Sequence, residues 1–239
     1  MAQQSPYHRV LLKLSGEALA GATGYGIDPD AADFIAEKIQ HITSLGVQVA
    51  IVIGGGNLWR GEIGQKRGMD RTTADHMGMI ATVMNGLALR DALEQRGVET
   101  RVQTAVEMNT VAEPYIRLRA IRHMDKGRVV IFSGGTGNPF FTTDSAAALR
   151  ASEIDADIVI KATKVNGVYS ADPKKDPNAT RYTTLGYDDV LQQHLTIMDM
   201  TAFTICQENG IPIMVVNFWG EHDLIRAIQG DESVGTIIK

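Results

Sequence analysis

Cysteine is nearly absent from this sequence. One residue, Cys206, occurs in 239. That excludes an internal disulfide framework and fits a reducing compartment. Its neighbours Phe203, Thr204 and Ile205 give the setting of a packed, inert thiol. No apolar run reaches the length of a membrane span, and no signal-peptide core follows the polar first eight residues. The expectation is a soluble, cytoplasmic chain with no membrane partner. No block of basic residues is present and the net charge is −5, which argues against a dedicated nucleic-acid binder. The six histidines (residues 8, 41, 76, 123, 194 and 222) keep no metal-ligand spacing. Two nucleotide motifs are also missing. There is no Gly-x-x-x-x-Gly-Lys-[Ser/Thr], and no Gly-x-Gly-x-x-Gly follows the first apolar run. A P-loop enzyme is excluded and a Rossmann dehydrogenase is disfavoured.

What is present is an alternation of short apolar runs with amphipathic stretches. Strands are expected over 10–14, 47–53, 99–103, 128–132, 157–162, 212–216 and 236–238. Helices are expected over 30–45, 71–96 (one long helix or two joined ones), 114–124, 143–152, 188–195, 200–209 and 221–229. Asp28-Pro29 reads as a cap with proline in the first turn, and Gly46 as a helix stop. In 71–96, Met77, Ile80, Ala81, Met84, Leu87 and Ala88 are taken as one packed face, and the methionines as core or subunit contact. The region 163–186 is rich in turns, including Asp172-Pro173 and Asp176-Pro177. Strands alternating with helices imply an α/β fold with a mainly parallel sheet covered on both faces. No repeat, linker or composition break divides it, so one domain over 1–239 is the simplest account.

Lys13 is the first chemical signal. It interrupts Val10-Leu11-Leu12-Lys13-Leu14 and is followed by Ser15-Gly16. A buried lysine needs a partner. Either its head reaches water at the strand edge, or it is aimed at an anion. Two more strands end in glycine turns, Gly54-Gly55-Gly56-Asn57 and Ser133-Gly134-Gly135-Thr136-Gly137-Asn138. In open parallel sheets ligands bind beyond the carboxyl ends of strands, where glycine lets backbone N–H groups approach an anion. Arg60, Asp75, Thr142, Thr143 and Asp144 stand beside these turns. Ordinary capping accounts for Thr142 or Thr143, with Asp144 complementing the helix dipole. Lys161, in Val159-Ile160-Lys161-Ala162-Thr163, repeats the Lys13 pattern. Two strand-end lysines suit phosphoryl transfer, where catalysis is mostly positioning and charge neutralisation.

These residues resemble a known family. The carrying motifs are Leu12-Lys13-Leu14-Ser15-Gly16-Glu17, Gly54-Gly55-Gly56-Asn57-Leu58-Trp59-Arg60-Gly61 and Asp75-His76-Met77-Gly78-Met79. With them stand Gly135-Thr136-Gly137-Asn138-Pro139-Phe140-Phe141-Thr142-Thr143-Asp144 and Lys161-Ala162-Thr163-Lys164-Val165-Asn166-Gly167-Val168-Tyr169. Together, and in this order along the whole chain, they look like the bacterial uridylate kinases of the amino-acid-kinase superfamily. The first two are shared with relatives that phosphorylate carboxylates or carbamate; the third and fourth point to uridylate kinases.

The resemblance implies a three-layer α/β/α sandwich. Its N-terminal part would mainly bind UMP, and the part from about residue 160 would mainly bind ATP. It implies transfer of a phosphoryl group from ATP, with Mg2+, to UMP, in the supply of pyrimidine nucleotides. The implied catalytic set is Lys13, Asp144 and Lys161, with Asp144 orienting Lys13 or helping to organise magnesium rather than a dedicated metal-ligand cluster. Lys13, Leu14, Ser15, Gly16, Gly56, Arg60, Thr163, Tyr169 and Asp172 would contact ATP. Gly55, Asp75, Thr136, Gly137, Asn138, Pro139, Phe140, Phe141, Thr142 and Thr143 would contact UMP. The family's hexameric state, GTP activation and UTP inhibition are implied as well. Gly21, Ala22, Thr23, Gly24, Tyr25 and Gly26 match its activation segment, and Arg90, Arg101 and Arg128 match its GTP-site arginines. Lys164 stands where many members carry asparagine. Two rivals remain at this point: a carboxylate or carbamate kinase of the same superfamily, and a non-catalytic nucleotide-storage protein.

Overall fold

The computed structural model describes residues 5–173, 175–193, 195 and 197–239. His194 and the end of the helix expected over 188–195 fall at or beside residues outside the described ones. The elements run β1 (Arg9–Leu14), α1 (Pro29–Thr43), β2 (Gln48–Ile53), α2 (Gly61–Lys66), α3 (Arg71–Gln95), β3 (Thr100–Thr104), β4 (Glu113–Pro114), α4 (Arg117–Asp125) and β5 (Val129–Ser133). They continue with α5 (Thr143–Glu153), β6 (Ile158–Thr163), β7 (Thr184–Leu185), α6 (Tyr187–Gln192), α7 (Met200–Glu208), β8 (Ile213–Asn217), α8 (Asp223–Ile228) and β9 (Gly235–Ile238).

The strands form one sheet in the order β4-β3-β5-β2-β1-β6-β8-β9-β7. Every pairing is parallel except β8 with β9. Helices α1, α3 and α8 cover one face, through Ile35, Ile39, Leu89, Leu93 and Leu224. Helices α4 to α7 cover the other, through Met124, Ala147, Val190, Phe203 and Cys206. This is the expected α/β architecture with a buried, mainly parallel sheet. The chain moves outward from β1 through β2 and returns to β1's other side with β6. That reversal makes a crevice at the carboxyl ends of β1, β2 and β6.

Side chains alternate across this sheet with a period of two. Val10, Leu12 and Leu14 face the α1 side, while Leu11 faces the α5 side. Lys13 shares the parity of Leu11, and its register partner on β6 is Lys161. Both lysines therefore point to the face that α5 covers. That helix is alanine-rich there, with Ala146, Ala147, Ala148 and Ala151 all buried. Small side chains let it lie close on the central strands.

Several expectations needed correction. The segment 71–96 is one 25-residue helix, but the expected packed face is wrong. Ala81 is buried, Leu87 and Ala88 are half-buried, and Met77, Ile80 and Met84 are exposed. The buried stripe includes Ala74, Met79, Thr82, Asn85, Gly86 and Leu89 instead. Helix α3 lies over the turns after β2 and β5, where small and polar residues fit, so apolarity alone selects the wrong stripe. The helix expected over 114–124 starts at Arg117, because Glu113 and Pro114 pair with β3 as an edge strand. Helix α2 and strands β4 and β7 were not anticipated; each is too short to carry a period. Asp28 caps α1 as expected, its carboxylate accepting the Asp30 N–H at 2.9 Å. Gly46, at φ 79°, ends the chain's run from α1 in the left-handed region that glycine tolerates. Cys206 is buried, and burial pushes its thiol up to about 12. Among the described residues no helix is long and apolar enough to cross a membrane.

Ala147 tests the close approach of α5. Ala147→Leu should cost about 1–3 kcal/mol through overpacking. Thermal denaturation would register this as a fall of roughly 2–4 °C per kcal/mol in a chain of this size. An unchanged melting temperature would show that the α5 layer has slack.

Candidate active site

The carboxyl ends of β1 and β6 deliver two ammonium groups to one carboxylate. Lys13 Nζ lies 2.6 Å from Asp144 Oδ1, and Lys161 Nζ lies 2.7 Å from Oδ2. Lys161 also donates to the Ile197 carbonyl at 2.5 Å. All three side chains are at least 84% buried, since their exposures are 11%, 14% and 16%. Lys13 does not reach bulk water, so the strand-edge reading of this residue fails. Burial by itself would raise the Asp144 pKa, but the charges of Lys13 and Lys161 override it and hold the carboxyl below its ordinary value. Burial pulls the Lys161 ammonium below the usual lysine range; Asp144 opposes that and the charge of Lys13 adds to it.

Asp144 is presented by the N-terminus of α5. Thr142, not Thr143, is the cap, and its Oγ1 accepts the N–H groups of Asp144 at 3.0 Å and Ser145 at 3.3 Å. The capping explanation of Thr142 is therefore correct. It does not cover Asp144, whose carboxylate turns to the lysines. Asp199 ties this cap down: it accepts from the Thr142 hydroxyl and from Ser145 Oγ, while its Oδ1 also accepts the Ala202 N–H that begins α7. Two helix N-termini are thus locked to each other beside the lysine pair. Asp199 stands between Met198 and Met200 as the cap of α7, and the sequence does not show that it also reaches the first turn of α5.

The glycine turns pack edge to edge. A Cβ on Gly16 would stand 2.4 Å from the Gly54 carbonyl oxygen, so only glycine admits the contact between the β1 and β2 turns. Gly55 meets α3 as closely, a Cβ there falling 2.9 Å from the Gly78 carbonyl. Two asparagines close the assembly. Asn57 and Asn85 exchange side-chain amide hydrogen bonds at 2.7 and 3.0 Å, and Asn85 donates to the Gly54 carbonyl at 2.7 Å. Asn57 also donates to the Gly26 carbonyl and accepts on its own carbonyl the Gly26 N–H, which seats the exposed turn over Gly21–Thr23 and its continuation to Tyr25 beside the site. Asn85 sits in the stripe of α3 that apolarity missed.

Two cavities flank the lysine pair. One, of 320 Å³, is lined by Gly55, Gly56, Asp75, Thr136, Phe141, Thr142 and Thr143. The other, of 530 Å³, is lined by Lys161, Thr163, Tyr169 and Asp172 among others. Six of the ten residues expected at UMP line the smaller cavity, whereas of the nine expected at ATP only Thr163, Tyr169 and Asp172 line the larger one; Lys13, Leu14, Ser15, Gly16 and Arg60 line neither. Gly56 stands in the smaller cavity's wall although the resemblance placed it with ATP. Gly137, Asn138, Pro139 and Phe140 belong to the adjoining turn but not to that wall. Arg60 is exposed and lines neither cavity, its guanidinium 2.5 Å from Glu17 Oε1. Leu14 is buried at the end of β1, and Ser15 caps the 3-10 turn that follows. The three arginines do not share one wall: Arg90 and Arg101 line a third cavity of 590 Å³, whereas Arg128 lines a different one. Glu99 links Arg101 and Arg128, at 3.8 and 2.7 Å. Among the described residues no group of three or more His, Cys, Asp or Glu side chains is placed to hold a metal ion.

Residues 8–217 match the model of the amino acid kinase family. The structure is similar to that of a UMP kinase from Bacillus anthracis, with 43% identity, a TM-score of 0.95, and 98% of this chain and 96% of that chain covered. A UMP kinase from Ureaplasma parvum is similar at 38% identity over the full length of both chains, with a TM-score of 0.91. A uridylate kinase from Archaeoglobus fulgidus is more distant, at 30% identity and a TM-score of 0.74, covering 96% of this chain and 99% of that one.

The shared carboxylate gives a pH-dependent prediction. A carboxyl held below its ordinary pKa stabilises the fold fully above the unfolded value and loses that contribution as pH falls through the folded one. Asp144→Asn leaves two buried ammonium groups facing each other and should cost about 3–5 kcal/mol at neutral pH. In denaturant titrations the gap between the two proteins should narrow from about pH 5 downward. A gap that is constant with pH would remove the ionised Asp144 from the account of stability.

Proposed function

The chain belongs to the amino acid kinase family, and from that membership we propose that it is a uridylate kinase, moving the γ-phosphoryl group of MgATP to UMP. The observation that carries the reading is the pair of strand-end lysines held on Asp144 between two cavities. The family match and the three similar UMP and uridylate kinases support UMP as acceptor and ATP as donor.

In this reading UMP occupies the cavity of Gly55, Asp75 and Thr136, with Gly137 to Thr143 around its phosphate and base. ATP occupies the cavity of Thr163, Tyr169 and Asp172, with its phosphates over Ser15, Gly16 and Lys161. An oxygen of the UMP phosphate forms the new bond to the γ-phosphorus as the bond to the β-bridging oxygen breaks, and ADP leaves. That phosphate is largely dianionic at neutral pH, so no proton has to be removed and no general base is assigned. Charge spreads over the transferring group in a loose transition state. Lys13 and Lys161 supply fixed positive charge there, and Asp144 holds both heads at one spacing. Preorganised charge of this kind needs no rearrangement at the moment of reaction. Magnesium enters as part of the donor substrate: both Asp144 oxygens already face ammonium groups, which favours the orienting role for that carboxylate.

The finer properties are proposed on the same basis. GTP would activate through Arg90, Arg101 and Arg128 and the 21–26 segment, and UTP would inhibit. Exposed Met77, Ile80 and Met84 on α3 support assembly with further copies of the chain, as a homohexamer. One buried cysteine fits the cytoplasm, where the product would feed pyrimidine nucleotide synthesis.

Lys13→Ala should lower turnover by about a hundredfold or more while the melting transition stays cooperative, since Asp144 keeps Lys161. Near-normal turnover would overturn the assignment. An ADP-release screen with UMP, CMP, glutamate, acetylglutamate and carbamate separates the acceptors, and UMP should give the highest rate. ATP binding with no ADP formed from UMP would favour a storage protein. In a GTP titration, wild-type turnover should rise and the Arg101→Ala curve should stay flat.

A further inference from the structure

Arg71 has no part in the chemistry described so far, yet its surroundings are unusual. It is the first residue of α3, where a cation opposes the helix dipole. Its side chain is half exposed, so packing does not explain it. Three contacts do. Arg71 Nε donates to Asp75 Oδ2 at 3.0 Å. The Phe140 N–H donates to the same oxygen at 2.8 Å. The Arg71 guanidinium carbon stands 5.2 Å from the centre of the Phe140 ring, within reach of a cation–π contact. These contacts close a triangle between the first turns of α3 and the turn after β5.

Phe140 is strained. Its φ of 73° lies in the left-handed region, rare for a bulky side chain, and the residue is 64% exposed. Strain of this sort persists only where neighbours enforce it, and here Asp75 and Arg71 are the neighbours. Both hydrogen bonds to Asp75 use Oδ2. Among the described residues Oδ1 accepts none, and it lies 3.6 Å from the position a Cβ would take on Gly61, in the wall of the 320 Å³ cavity. One oxygen is therefore committed to the protein and the other is presented to whatever occupies the cavity.

We propose that Arg71 is a positioning residue for the acceptor nucleotide: it fixes Asp75 so that Oδ1 faces the cavity, and it pins the Phe140 turn along the cavity's edge. This rests on the reading of UMP as the acceptor. Arg71 touches no reacting atom, so its loss acts on acceptor binding and leaves the lysine pair alone.

Steady-state kinetics with UMP varied at saturating ATP test the inference. Arg71→Met should raise KM for UMP about tenfold, with kcat within about twofold and KM for ATP unchanged. Arg71→Lys should recover only part of the loss, because an ammonium lacks the planar fork that bonds and stacks at once. Phe140→Gly should raise KM for UMP while its melting temperature holds or rises, since glycine tolerates the left-handed backbone. In an Asp75→Asn background, adding Arg71→Met should change KM little further. An unchanged KM in Arg71→Met, or an equal increase with and without Asp75, overturns this inference alone. Failure of the wild-type chain to form UDP from UMP overturns the acceptor reading and this inference with it.

Discussion

The structure turns on one carboxylate shared by two lysines. Two ammonium groups on adjacent strands repel each other and are costly to bury. Asp144 makes the arrangement tolerable by placing one oxygen against each, at 2.6 and 2.7 Å. Much else in the centre of the molecule serves that contact. Parallel pairing of β1 with β6 in the observed register puts both lysines on one face. The alanines of α5 bring the helix close enough for its first turn to reach them. Thr142 and Asp199 fix where that turn begins.

The same compactness explains the glycines and the buried amides. Turns after β1, β2 and β5 crowd the same crevice, and backbone meets backbone where a Cβ would not fit. Carbonyls exposed by these turns need donors, and Asn85 supplies one to Gly54 from inside α3. Around the centre the two cavities differ in character. One is walled by glycine, threonine and an aspartate, the other by the turn-rich segment after β6. A phosphoryl group passing between them would cross in front of the lysines.

Much of this was legible in the chain. Strand positions followed from β-branched apolar runs, and α1 from Asp28-Pro29 and its spaced isoleucines. Lys13 and Lys161 stood out because charge interrupts an apolar strand. Asp144, Asp75 and the glycine turns were flagged by composition and neighbourhood, and the family resemblance gathered them. The missed features share a cause. Asp199 and Asn85 are polar residues whose role depends on what stands opposite, and no local pattern reports that. The face of α3 was misread because part of its buried side, at Thr82 and Asn85, meets the turns after β2 and β5 as well as the sheet. Arg71 was passed over because its partners lie 4 and 69 residues away, and only the second is informative.

The sequence by itself determined the fold class, the sites of the strand-end lysines and the turns able to approach an anion. Those properties are written in periodicity and in residue type, which act locally. The tertiary structure decided which side chains meet. It made Asp144 a bridge between two lysines, set the Gly55 and Tyr169 groups around separate cavities, and committed one oxygen of Asp75 to Arg71 and Phe140. Such choices depend on strand register and helix approach, distances of a few ångströms that arise only when the whole sheet is assembled.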